Sequence, residues 1–154
     1  MSRKKPKVAI IMGSKSDLSV MEEVASSLKE FGIESTTLIA SAHRTPKKVQ
    51  SFARSAEGKF DLIIAGAGMA AHLPGVVAAY TTLPVIGVPI FSKGLSGFDA
   101  LYSIVQMPPG VPVACVSING AKNAGVLAAE ILSLKYPDLK AKLKKFKQNL
   151  ERKR

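Results

Sequence analysis

Short unbroken apolar runs separated by amphipathic stretches set the rhythm of this 154-residue chain. Lys7-Val8-Ala9-Ile10-Ile11-Met12 reads as a buried parallel strand, because a strand covered on both faces loses polar alternation. Gly13-Ser14-Lys15-Ser16-Asp17 interrupts it. Leu18, Met21, Val24, Ala25, Leu28 and Phe31 then recur at helical spacing, and Gly32 supplies a stop. A second strand is predicted at about 35–40 and a helix at about 45–57. A third strand runs from Asp61 to Ala65 and gives way to a Gly66-Ala67-Gly68 turn. A helix follows from about Ala71 to Thr81, then a fourth strand, Pro84-Val85-Ile86-Gly87-Val88. Residues 95–108 begin as a loop and become helical, a fifth strand covers about 112–118, and a long helix runs from Ala121 to about Leu134. A basic amphipathic helix follows Pro137.

Five apolar strands alternating with helices predict an α/β fold of three layers, αβα, around a five-stranded parallel sheet. Periodicity does not fix the strand order, and a flavodoxin-like order is the preferred one for five strands. Residues 1–154 read as a single domain, with the basic segment 1–7 and the basic helix 137–154 as extensions. A chain of this length buries roughly 70% of its unfolded surface, enough for a core without staples.

Composition changes this picture in three places. The net charge of +11 suggests nucleic acid until it is mapped. Residues 1–7 carry four basic groups and no acid, residues 135–154 nine basic and two acidic groups, and the body between them nine of each. The basicity belongs to the ends, where a solvated helix face or tail is the simpler account than a polyanion site, so no specific nucleic-acid partner is expected. The lone Cys115 sits in an apolar run, which excludes an internal disulfide, suggests a reducing compartment and points to inert packing. No apolar stretch reaches the roughly 18–20 residues of a membrane span, and the N-terminus lacks the apolar region of a signal peptide, so no membrane partner and a cytoplasmic location are expected.

The candidate chemistry gathers where the strands end. The chain's two histidines, His43 and His72, both lie in small-residue loops after strand-like runs, so parallel strands would bring both imidazoles to the carboxyl edge of one sheet. Imidazole is the side chain best suited to move protons near neutral pH. In Gly13-Ser14-Lys15-Ser16-Asp17, glycine lets the turn tighten, and hydroxyls and free amides at a helix start receive a phosphate or a sugar hydroxyl. The alternative is that Ser16 or Asp17 merely caps the helix. Asp17 would repel a phosphate but suits ribose hydroxyls. In Ser41-Ala42-His43-Arg44-Thr45-Pro46, Thr45 can cap a helix beginning at Pro46, and Arg44 can hold an oxyanion with two parallel hydrogen bonds. Gly66-Ala67-Gly68-Met69-Ala70-Ala71-His72 resembles a dinucleotide fingerprint only weakly, since it follows the third strand and residues 84–92 offer no acid for a ribose. Such small side chains better suit close approach of backbone to a small flat ligand. Two histidines without a carboxylate or thiol cluster argue against a metal site. Asn119 either brings a polar group to the same edge or caps the long helix, the cap being preferred.

Together, Met12 to Asp17, Ser41 to Pro46, Ala65 to Gly68, Ala71-His72-Leu73-Pro74-Gly75 and Ser103-Ile104-Val105-Gln106-Met107-Pro108 resemble the N5-carboxyaminoimidazole ribonucleotide mutase family, the catalytic-subunit type of phosphoribosylaminoimidazole carboxylase. The resemblance spans about residues 7–135. It implies a flavodoxin-like fold, an octamer, no metal and no organic cofactor. The implied activity is an isomerase of de novo purine (IMP) biosynthesis that moves a carboxyl group from the exocyclic amine to ring carbon C4, giving 4-carboxy-5-aminoimidazole ribonucleotide. It also implies catalytic roles for His43 and His72, and substrate binding by Gly13, Ser14, Ser16, Asp17, Ser41, Ala42, Arg44, Gly68 and Leu73. A sister class carboxylates aminoimidazole ribonucleotide directly. It usually carries lysine after the first histidine and lacks the His-Leu-Pro-Gly segment, so Arg44 and His72 to Gly75 favour the mutases. One departure is Met69, where the mutases usually have another glycine, so that the side chain either points away from the ligand or narrows the pocket. Asn119 to Asn123 also varies from better-known members.

Overall fold

A computed structural model describes residues 5–152. Its sheet consists of β1 (Lys7–Met12), β2 (Glu34–Ile39), β3 (Leu62–Gly68), β4 (Val85–Ile90) and β5 (Ala114–Cys115). All pairings are parallel and the order is β2-β1-β3-β4-β5, the flavodoxin-like order. Between the strands lie a 3-10 turn (Lys15–Asp17) and α1 (Leu18–Glu30), then α2 (Pro46–Ser55), α3 (Leu73–Ala78), α4 (Phe98–Val105), α5 (Ala121–Leu132) and α6 (Asp138–Arg152).

Period-two geometry splits the apolar strands between two cores. Val8, Ile10 and Met12 face α1, α5 and α6, where Met21, Leu28, Ala128, Leu132 and Leu139 pack. Ala9 and Ile11 face α2, α3 and α4, against Val49, Leu73, Val77 and Ile104. Both faces are covered, which is why these strands read as continuous apolar runs rather than alternating ones. The basic C-terminal helix is docked, not free. Leu139 and Leu143 are buried, Phe146 meets Phe31 edge-on at 5.5 Å, and the Lys142 ammonium donates to the Phe31 carbonyl at 2.6 Å. Beneath the sheet, Asp61 accepts from the Lys135 ammonium (2.7 Å), the Tyr136 hydroxyl and the Lys7 amide (both 3.0 Å), tying β1, the start of β3 and the segment after α5 together. Of the basic N-terminal segment, residues 1–4 lie outside the described residues, as do 153–154 of the C-terminal helix.

Several elements depart from the sequence expectation. Gly66 to Gly68 do not turn but continue β3 in register with Val88, Pro89 and Ile90. Their small size serves packing, since a Cβ on Gly66 would collide with the Met21 thioether of α1. The fifth strand shrinks to Ala114–Cys115 at the sheet edge, with Pro112 removing a ladder donor at its expected start. The helix expected over 71–81 is limited to Leu73–Ala78, since the Ala71 and His72 amides are taken by tight bonds to the Met69 and Ala70 carbonyls, both 2.8 Å.

Candidate functional site

In a doubly wound sheet, ligands bind beyond the carboxyl ends of the strands where the winding reverses. Here that point lies between β1 and β3. A cavity of about 430 Å³ opens there, walled by the loops after β1 and β2 and by the end of β3. Gly13, Ser14, Ser16 and Asp17 come from the first loop and Ser41, Ala42, His43 and Arg44 from the second. Gly68, His72 and Leu73 come from the third segment. The fold thus brings all eleven sequence-nominated residues to one cavity. Ala67, Met69 and Ala70 also line it, so part of the small-residue stretch expected beside a flat ligand does face the cavity, and Met69 is in its wall. Gly66 and Ala71 belong instead to the packed interior of the same small-residue stretch.

Each loop holds itself in shape. The Ser14 hydroxyl accepts from the Ser16 amide (3.3 Å), and the Asp17 carboxylate accepts from the Ser14 amide (3.2 Å), a reciprocal capping box. The capping side chain is therefore Ser14, not Ser16 or Asp17, and Asp17 closes the box from the third position. Burial raises the Asp17 carboxyl above its ordinary range. The Ser14 amide, the Ser16 hydroxyl and the charge of Arg44 oppose that shift without cancelling it.

In the second loop the Ser41 hydroxyl accepts from the amides of His43 (3.3 Å) and Arg44 (3.1 Å) and so aims both side chains. Thr45 does not cap α2. Its hydroxyl accepts from the Ser41 amide at 2.9 Å and donates back to the Ser41 carbonyl at 3.2 Å, which closes the loop on itself. The Arg44 guanidinium crosses to the first loop and donates to the Gly13 carbonyl at 3.0 Å. A neighbouring cavity of about 440 Å³ continues past Arg44, lined by Ser14, Lys15, Ser41 and Thr45. It is rich in hydroxyls and cations, as an oxyanion requires, and Lys15 is a basic group the sequence reading left out.

The two imidazoles meet. His43 Nε2 lies 2.6 Å from His72 Nδ1, with the rings edge-to-face at 4.7 Å between centroids. A single proton occupies that bond, so one nitrogen donates and the other is bare. Both rings stay exposed at the cavity. Among the described residues no three of His, Cys, Asp and Glu gather to hold a metal ion. Cys115 lies apart, half-buried, its thiol pushed up by burial and turned to the Val116 carbonyl at 3.3 Å. Asn119 also stands outside the cavity and does not cap α5. With φ of 56° it accepts from the Phe91 amide at 2.9 Å and pins the end of β4.

The family profile described as AIR carboxylase matches residues 7–153. The chain belongs to the AIR carboxylase family. Among relatives, this family member is 60% identical over 96% of its length to an N5-carboxyaminoimidazole ribonucleotide mutase of Pyrococcus abyssi, covering 85% of that protein. It is 57% identical to a mutase of the same name from Thermotoga maritima, again over 96% of this chain and 86% of the relative. The crystal structure of Treponema denticola PurE superposes with a TM-score of 0.89 at 36% identity, over 97% of this chain and 94% of that one.

Proposed function

We propose that this member of the AIR carboxylase family is an N5-carboxyaminoimidazole ribonucleotide mutase, an isomerase of purine nucleotide synthesis. The observation that carries the reading is the His43–His72 pair at 2.6 Å inside a cavity whose other walls are hydroxyls, one arginine, one aspartate, small residues and the apolar side chains of Met69 and Leu73. The family description names a carboxylase, while relatives at 57–60% identity are named mutases, which favours the intramolecular transfer over direct carboxylation.

The substrate carries its carboxyl group as a carbamate on the exocyclic amine. His43 protonates that nitrogen as the N–C bond breaks, releasing carbon dioxide and the neutral amine. The electron pair of the neighbouring ring carbon forms a C–C bond to the carbon dioxide, and His43 removes the proton left on that carbon. One proton leaves the imidazole and one returns, so the balance closes without a cofactor. His72, bonded to His43, fixes the orientation of the ring through both steps and limits which nitrogen carries the proton. Arg44, with Lys15 and the hydroxyls of Ser14 and Ser41, anchors the phosphate, and Asp17 receives the ribose hydroxyls. Gly13, Ser16, Ala42, Gly68 and Leu73 shape the cavity against the ring. Held beside the ring carbon that attacks it, carbon dioxide reacts before it diffuses away.

A homo-oligomer, an octamer in the form the sequence resemblance implies, is part of this proposal. Exposed apolar side chains on and before α4 support it: Phe91, Leu95, Phe98, Tyr102 and Val105 are each about half open or more. No helix of the described residues is long and apolar enough to cross a membrane. A cytoplasmic location belongs to the reading because a phosphorylated intermediate stays where it is made.

The deciding assay supplies the carbamate ribonucleotide without ATP and follows the ring carboxylate, beside a second arm with aminoimidazole ribonucleotide and bicarbonate. Fast turnover in the first arm and slow turnover in the second is expected, and the reverse would assign direct carboxylation. His43→Asn is expected to lower turnover by at least about 10²-fold, the ordinary reach of general acid–base catalysis, while nucleotide binding by calorimetry persists. Near-normal turnover in that variant would remove His43 from its role.

A further inference from the structure

Met69 is the anomaly of the site wall. Its φ is 54°, in the left-handed region that side chains with a Cβ rarely occupy. The backbone needs that bend. It carries the chain from the end of β3 into the two tight bonds, Ala71 amide to Met69 carbonyl and His72 amide to Ala70 carbonyl, that bring His72 beside His43. Glycine would make the same bend without penalty, so the side chain is retained against a local cost. Strain of this kind, observed first, points to a use. Met69 lines the cavity while leaving 65% of its surface open, which places it at the mouth rather than the floor. Its neighbours on that wall, Ala67, Gly68 and Ala70, are all small. It is therefore the one long, flexible apolar group at the rim, and a thioether adapts its shape to what it covers.

We propose that Met69 is a retention residue: it closes the apolar side of the mouth over the heterocycle and keeps the released carbon dioxide against it. This rests on the mutase reading above. Carbon dioxide is uncharged and apolar, so charged loops hold it poorly and an apolar cover holds it well. The cost of the left-handed backbone is offset by turnovers that end in product rather than in escape.

The test follows carbamate substrate to product in buffer containing ¹³C-bicarbonate, for wild type, Met69→Gly and Met69→Leu, with assembly size measured in parallel by light scattering. Met69→Gly is expected to raise the thermal midpoint slightly, to raise KM about tenfold, within the range of a lost apolar contact, and to increase several-fold the share of product carrying label from solution, along with release of aminoimidazole ribonucleotide. Met69→Leu, apolar and of similar size, is expected to restore retention while keeping the backbone strain. Unchanged KM and unchanged label uptake in Met69→Gly, with active wild type, would overturn the proposal. So would a changed assembly size in that variant, which would make Met69 an interface residue. A wild type that makes no product from the carbamate would instead overturn the mutase reading, and the substrate assigned to Met69 with it.

Discussion

At the scale of single residues, the site holds one charge against its own interest. Asp17 is pushed up by burial more strongly than the Ser14 amide, the Ser16 hydroxyl and Arg44 pull it down. The folded state therefore binds the Asp17 proton more tightly than the unfolded chain does. That contribution to stability is complete below the unfolded carboxyl value of about 3.9 and is lost as pH rises through the raised folded value. At neutral pH the ionised carboxylate costs stability, a cost that the proposed contact with ribose hydroxyls would explain. Asp17→Asn preserves shape and a capping acceptor but removes the charge. The expected outcome is a thermal midpoint at pH 7 equal to or above wild type, with the difference vanishing below about pH 4, where the wild-type carboxyl is protonated too. KM for the ribonucleotide should rise about tenfold or more, as for a lost hydrogen bond to a charged group. A midpoint well below wild type at pH 7 would show that the capping box needs the charge itself.

At the scale of elements, close approach between helices is set by what a residue lacks. α1 and α5 cross where Gly125 faces Ser27. A Cβ on Gly125 would stand 2.5 Å from both Ser27 Cβ and Oγ, and that hydroxyl donates to the Lys122 carbonyl at 3.0 Å. Alanine in a helix interior ordinarily gains about 1 kcal/mol over glycine. Overpacking of a tight contact costs about 1–3 kcal/mol, and the displaced Ser27 bond adds about 1 kcal/mol more. The costs win, so Gly125→Ala should lower stability by about 1–3 kcal/mol in urea denaturation, while Asn123→Ala on the exposed face of the same helix should stay within about 0.5 kcal/mol of wild type. A stabilised Gly125→Ala would mean that α1 and α5 shift apart freely. The same physics explains what was legible beforehand. Strand existence, helix periodicity and the gathering of both histidines at one edge follow from local pattern and parallel topology, so they could be read from the chain. The end of β3 could not, because Gly66-Ala67-Gly68 looks like a turn unless Met21 is known to lie over it. The contraction of β5 and the side-chain duties of Thr45 and Asn119 likewise depend on neighbours distant in sequence. The roll of cavity residues was legible from motifs, whereas the 2.6 Å contact between His43 and His72 needed coordinates.

At the scale of the whole molecule, the unanswered surface is α4. Ala100 and Ile104 bury one side of it, while Phe98, Tyr102 and Val105, spaced as one helical face, are 53%, 60% and 49% exposed. Leu95 and Phe91, just upstream, are 62% and 51% exposed. A contiguous apolar face of this kind on an isolated subunit calls for a partner surface, and cyclic or dihedral self-assembly is the commonest way to supply one. The helix packs on β4, β5 and β3, and none of its residues lines the cavity. If copies of this chain cover it, a charge placed there must be desolvated on assembly at a cost of several kcal/mol, far more than one contact returns. Tyr102→Glu and Phe98→Glu are therefore expected to reduce the mass seen by light scattering to smaller species, without loss of the far-ultraviolet dichroism of the fold. Turnover separates two arrangements. If the cavity is complete within one subunit, the dissociated variants keep a kcat near that of wild type. If loops from a neighbour complete it, kcat falls in proportion to dissociation and recovers at high protein concentration. An assembly unchanged in mass by both glutamates would remove α4 from the subunit contacts.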